Sequence, residues 1–178
     1  LSGDPHPFRE LGRTARFINR FLWRNLPCLK QRQQVFIQQL HAELFAGLDH
    51  GIDTAAFILV LDSINFGSGY FPHLKKLPGL SGYFTVATHL TNYFKKNGSL
   101  SVKELTLIDL EWCRRNFDQQ NGNETSDELM SLFARALNHL GYFLASDFES
   151  SFEVFFEKSS SSANSFVSTL SRMPFFND

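Results

Sequence analysis

A carboxylate and an amide three residues apart, Asp62 and Asn65, follow the apolar run from Ala55 to Leu61, and a glycine- and aromatic-rich turn comes after them. On a helix this spacing places both side chains on one face, where a buried carboxylate must be paired or hydrogen-bonded. Gly67, Gly69, Pro72, Pro78 and Gly79 supply loop geometry, while Phe66, Tyr70, Phe71, Tyr83 and Phe84 supply flat surfaces. That combination suits a pocket for a planar polar ligand. The competing reading is a buried polar pair that caps or ties neighbouring helices, with the aromatics serving as core. Tyr83 follows Ser81-Gly82, small residues at a helix start that expose backbone N–H groups suited to an anion.

Helices are expected to position these residues. The apolar run 55–61 fits a buried helix or a buried strand, and helix is preferred because no second β-rich run is present to pair with it. Asp53 or Thr54 is the expected cap. Ser81 caps a helix over 82–96 that stops at Lys95-Lys96-Asn97-Gly98, where cations and a glycine suit a helix C-terminus. Ser101 with Glu104, and Thr125 with Glu128, match capping boxes, the second before a long periodic run from Leu129 to Leu144. Between them, 119–123 reads as an exposed turn. Residues 148–157 fit a short helix or an alternating strand, and a last helix is expected over 163–172.

Upstream, Phe8, Leu11, Ala15, Ile18 and Leu22 recur at helical spacing, with Arg9, Arg13, Arg16, Arg20 and Arg24 on an adjacent face. Residues 8–25 therefore read as an amphipathic helix, and 29–46 as a second. The arginine row is read as a solvated face rather than a contact for RNA or an anionic membrane, since acidic residues elsewhere offset it: the net charge is -1.

The totals bound the answer further. At 178 residues, 43% hydrophobic and 20% charged, one soluble domain is expected. Most of the 20 Phe must fill the core, so a single Phe carries little functional information. Cys28 and Cys113 are isolated, and the six His show no ligand spacing, so neither a disulfide framework nor a metal site is indicated. A reducing cytoplasm fits. The first residues lack a basic stretch followed by an apolar one, and no apolar run approaches ~18 residues, so neither a signal peptide nor a membrane span is expected.

The blocks AFILVLDSINF, LSGYFTVATHLTNYF, SVKELTLIDLEWCRRNF, ELMSLFARALNHLGYFL and SSANSFVSTLSRMPFFND, in that order, resemble the queuosine salvage family of queuosine 5'-phosphate N-glycosylases. The resemblance covers roughly 41–178, as one queuosine-salvage-like helical domain; residues 1–40, the basic N-terminal helices, match poorly. It implies an all-α fold similar to helix-hairpin-helix DNA glycosylases and hydrolysis of the bond between a 7-deazaguanine base and ribose 5-phosphate, releasing queuine for tRNA modification. The family pattern continues into Tyr-Lys-Arg-Ala-Gln and Asp-Tyr-Arg blocks, and residues 1–178 stop before both. A non-catalytic, truncated paralogue that binds queuine, a nucleotide or a partner protein is the alternative reading.

N-glycoside hydrolysis passes through an oxocarbenium-like transition state and needs a carboxylate near the anomeric carbon or on a water. Under the resemblance, Asp178 matches a family position after MPFF and is the catalytic candidate. Asp62 is the first candidate for reading the base or the secondary amine of queuine, with Asn65 beside it, and Phe66, Tyr70, Phe71 and Tyr83 are the stacking candidates. His73, with Lys75 and Lys76, is a phosphate candidate against the plainer reading of solvated surface, and Ser81 contributes at the helix start. The implied partner is the small-molecule nucleotide; no cofactor and no direct tRNA contact are implied.

Overall fold

The computed structural model describes residues 51–159 and 168–173. Every regular element among them is a helix, so the fold is all-α. The expected helices over 8–25 and 29–46, and Asp178, lie outside the described residues; of the last expected helix, residues 168–170 are helical.

The run of apolar residues forms α1 (Ile52–Ser63), buried on every side from Thr54 to Leu61. A helix apolar all round has to sit in the middle of the others, and α1 packs against three of them, α2 (Gly82–Asn97), α5 (Glu124–Asp147) and α6 (Phe152–Ser159). Its N-cap is Gly51, not Asp53 or Thr54. Thr54 is buried, and Asp53 instead accepts a 2.6 Å hydrogen bond from the Ser99 hydroxyl, tying α1 to the α2 exit. The buried hydroxyls of Ser63 and Thr91 return to the carbonyls four residues back, Leu59 and Ala87, each at 2.8 Å, so burying them costs little.

The other helices start and stop where local chemistry directs. Ser81 caps α2 as expected, accepting from the Phe84 N–H at 3.3 Å, and Gly98 ends it at φ 82°, a left-handed conformation that favours glycine. Ser101 and Glu104 form the expected capping box for α3 (Val102–Leu105), which lasts a single turn. Asp109 then caps α4 (Leu110–Asn116), its Oδ1 accepting from the Trp112 N–H at 2.7 Å. The second expected box is displaced by two residues. Asn123 and Ser126, not Thr125 and Glu128, exchange side chain and backbone N–H at the start of α5, at 3.0 and 2.9 Å. Within 148–157 the helical alternative holds from Phe152 onward, as α6.

With 24 residues, about 36 Å, α5 is the strut against which α1, α3 and α4 pack. Gly141 allows α3 its close approach: a Cβ there would lie 2.8 Å from the Thr106 backbone nitrogen. Arg114 of α4 holds the first turn of α5 through Asp127, with Nε 2.8 Å from Oδ1 and a second contact from Nη2 to Oδ2. Phenylalanine fills the interior. Phe57, Phe117, Phe133, Phe155 and Phe156 are fully buried, and a row of edge-to-face rings runs Tyr93, Trp112, Phe117, Phe133, Phe66 at centroid spacings of 5.1 to 6.2 Å. Among the described residues no helix is long and apolar enough to cross a membrane.

Candidate functional site

The last turn of α1 and the first turn of α2 carry the two side chains with the clearest electrostatic signature. Asp62 is partly buried, and burial pushes its carboxyl up to about 7; among the described residues no cation or hydrogen-bond donor offsets the cost. Tyr83, also partly buried, has its phenol pushed up to about 12, chiefly by burial and then by the charge of Asp62. Burial thus disfavours the ionised form of both groups, and the Asp62 charge reaches the Tyr83 phenol. At neutral pH the Asp62 carboxyl is divided between its neutral and ionised forms, so it can donate or accept a hydrogen bond and can pair with a cation.

Asn65 is placed differently from expectation. The helix ends at Ser63, the Ile64 and Asn65 N–H groups turn back to the Leu61 and Asp62 carbonyls at 3.2 Å, and the Asn65 side chain is exposed. Asp62 and Asn65 consequently do not share a helical face. Ile64, 2% exposed, explains the turn: its burial in the core swings the chain out of the α1 axis.

The aromatic turn folds back over the α2 start. Phe66 sets its ring edge-on against Phe133 with centroids 5.3 Å apart, so part of its surface belongs to the core. Tyr70 precedes a short 3-10 helix (Phe71–His73), and the Glu128 carboxylate beside it raises its phenol pKa. His73 ends that 3-10 helix, exposed, with its carbonyl 3.4 Å from the Asn123 amide nitrogen. Ser81 uses its hydroxyl as the α2 cap. Lys75 is paired with Asp118 at 2.6 Å, which favours the plainer reading of that lysine as surface.

Gly82 works by its lack of a side chain. A Cβ there would lie 2.4 and 2.5 Å from Cβ and Cγ of Phe71, so only glycine lets that side chain lie on the first turn of α2. Gly82→Ala is expected to cost about 1–3 kcal/mol and to displace the turn around Phe71; urea unfolding midpoints measure the first effect and proteolysis within 67–80 the second. Unchanged midpoint and unchanged cleavage would show that Phe71 yields freely.

Two residues near the turn were not singled out from sequence. Gln119 was expected in an exposed turn and is instead 2% exposed, with its amide bonded to the backbone of Lys75. His89 lies two turns beyond Gly82 on the same side of α2; its Nε2 is buried without a hydrogen-bond partner among the described residues, and burial lowers its pKa, against the opposing charge of Asp118. Periodicity registers the position of His89 but not the orphaned nitrogen. Cys113 is fully buried and its thiol pKa is pushed well up, which removes it as a nucleophile.

Other recesses lie away from these residues. One of about 710 Å³ opens beside His139, Tyr142, Asp147 and Arg172, and one of about 250 Å³ lies among the starts of α1, α3 and α6. Neither takes in Asp62 or Tyr83.

Among curated proteins and among solved structures nothing matches the chain. The family model for queuosine salvage proteins matches residues 46–178, well over half of the sequence. The chain belongs to the queuosine salvage protein family, and its role lies in queuosine salvage.

Proposed function

We propose that the protein serves hydrolysis of the N-glycosidic bond of queuosine 5'-phosphate, releasing queuine, with Asp62 and Tyr83 at the base-binding end of the site. The observation that carries this reading is the desolvated Asp62 carboxyl, whose charge also acts on the Tyr83 phenol. A carboxyl left without a partner costs stability, and such a cost points to a ligand that supplies the partner. The secondary ammonium of queuine meets that need, and so does a base edge presenting N–H donors. In the reaction water adds across the bond: the C–N bond breaks, hydroxyl goes to the ribose carbon, and the base departs with a proton.

Asn65, Phe66, Tyr70 and His73 stand around the same turn as contributors to substrate binding, Ser81 at the α2 start, and Asp178 as the catalytic carboxylate. A helix-hairpin-helix glycosylase-like architecture, with residues 41–178 as the salvage domain and 1–40 as a basic N-terminal segment, and a cytoplasmic setting belong to the same reading.

Incubation with queuosine 5'-monophosphate, followed by chromatography of free queuine, is expected to show release above the spontaneous rate. Asp62→Asn should reduce it by about 100-fold or more. Thermal stabilisation by queuine without release would make the protein a binding module. Neither release nor stabilisation would overturn the reading.

A further inference from the structure

The aromatic turn continues into a segment, 73–77, that is gripped by three side chains from outside it. Asn123 approaches the His73 carbonyl at 3.4 Å, Gln119 takes both backbone groups of Lys75, and Thr85 accepts from the Leu77 N–H at 3.1 Å. The gripped positions are alternate residues, as on the edge of an extended strand, while Leu74 between the first two points into the core at 5% exposure. Gln119 is the central grip and the strongest. Its Oε1 accepts from the Lys75 N–H at 3.0 Å, and its Nε2 donates to the Lys75 carbonyl at 3.1 Å and to the Phe117 carbonyl at 2.8 Å. The amide thus does for Lys75 what a neighbouring strand would do.

Gln119 is itself held rigidly. Its N–H reaches the Arg114 carbonyl at 2.7 Å across a turn in which Asp118 adopts φ 53°, and Asp118 also pairs with the Lys75 ammonium. From Lys75 the chain runs back two residues to His73, then to Phe71 on Gly82, and so to the α2 start beside Tyr83. Few apolar contacts are available to a segment with exposed Pro72, His73, Lys75 and Lys76, so polar grips must fix its place.

We infer that Gln119 is a positioning residue for the ligand site: its side-chain amide, acting as a surrogate strand for Lys75, holds the turn carrying Tyr70 and His73 in register with the start of α2. This rests on the proposed ligand pocket around Asp62 and Tyr83, and it concerns a residue that touches no ligand itself.

The test uses the full chain, with Gln119→Met, which keeps length and removes every amide hydrogen bond, and Leu100→Ala as a destabilised control in the α2–α3 link. Amide hydrogen exchange is followed at Lys75 and Leu77, and queuine affinity by titration. In Gln119→Met the two amides exchange faster, queuine affinity falls by about tenfold, and in the release assay KM rises by a similar factor with kcat within about twofold. Leu100→Ala loses stability but keeps the affinity. Wild-type affinity in Gln119→Met, or equal loss in the Leu100→Ala control, overturns the inference. If the wild type bound no queuine, the proposed function would fall on its own. The Gln119 grip would then be decided by exchange alone, quickened amides supporting it and unchanged amides refuting it.

Discussion

Asp62→Asn is expected to stabilise the protein at pH 8 while lowering queuine release by about 100-fold or more. The ordinary value for the carboxyl, 3.8, applies to the unfolded chain, and burial pushes it up to about 7 in the fold. Between pH 4 and 7 the unfolded chain gives up this proton while the folded protein retains it. Stability is therefore lost as pH rises through that window, and the loss is complete above about pH 7. The full interval would correspond to about 4 kcal/mol, and the partial exposure of Asp62 reduces this to about 1–3 kcal/mol. Asparagine keeps the shape without the titration, so the variant should gain that amount at pH 8 and nothing at pH 4. Urea midpoints for both proteins from pH 4 to 8 measure it. A variant less stable at pH 8, with an unchanged pH slope, would mean that Asp62 ties helices together as an ordinary structural carboxylate.

In the proposed site the same titration would govern ligand binding. A cationic amine favours the ionised carboxylate and draws the Asp62 pKa down, so queuine binding below pH 7 should release a proton and strengthen as pH rises towards neutrality. A site that is destabilising when empty and relieved when full fits a residue retained for binding at the expense of stability.

How far the sequence announced this arrangement differs from element to element. The helical state of 55–61 was legible because the sequence offers no second β-rich run to pair with it, and the α2 and α3 starts because Ser81, Ser101 and Glu104 sit at capping distance. The α5 cap was misread by two residues. Asn123 with Ser126 offers the same reciprocal bonds as Thr125 with Glu128, and what decides between them is tertiary: Asn123 also reaches the His73 carbonyl, fifty residues away. Gln119 failed for a related reason. A polar residue beside Gln120, Asn121 and Gly122 reads as surface, and only the position of Lys75, 44 residues earlier, shows that its amide is needed inside. Within the site, Asp62 stood out because a carboxylate at the end of an apolar run is costly wherever the chain goes. The exposure of Asn65 depended on where α1 ends, and helix ends are the least determined feature of a periodic pattern.

Phe133→Ala is expected to cause the largest loss of stability, about 3–5 kcal/mol. Phe133 has no exposed surface, and its ring meets Phe117 at 5.7 Å and Phe66 at 5.3 Å, so truncation opens a cavity at the centre of the aromatic row. The two neighbours cannot both close it. Phe117 is pinned through Trp112, at 6.2 Å, and its carbonyl accepts from Gln119, whereas Phe66 sits on a turn with glycines on either side of Ser68. Collapse should therefore draw Phe66 inward and pull on the segment directly after Asp62, so that the variant loses queuine affinity along with stability. Phe133→Leu, which restores much of the volume but not the flat edge, should recover more than half of the stability and less of the affinity. Chemical denaturation and queuine titration of the two variants read the two effects separately. If both variants bound queuine as the wild type does, Phe66 would be seated independently of Phe133, and the core and the site would be mechanically separate.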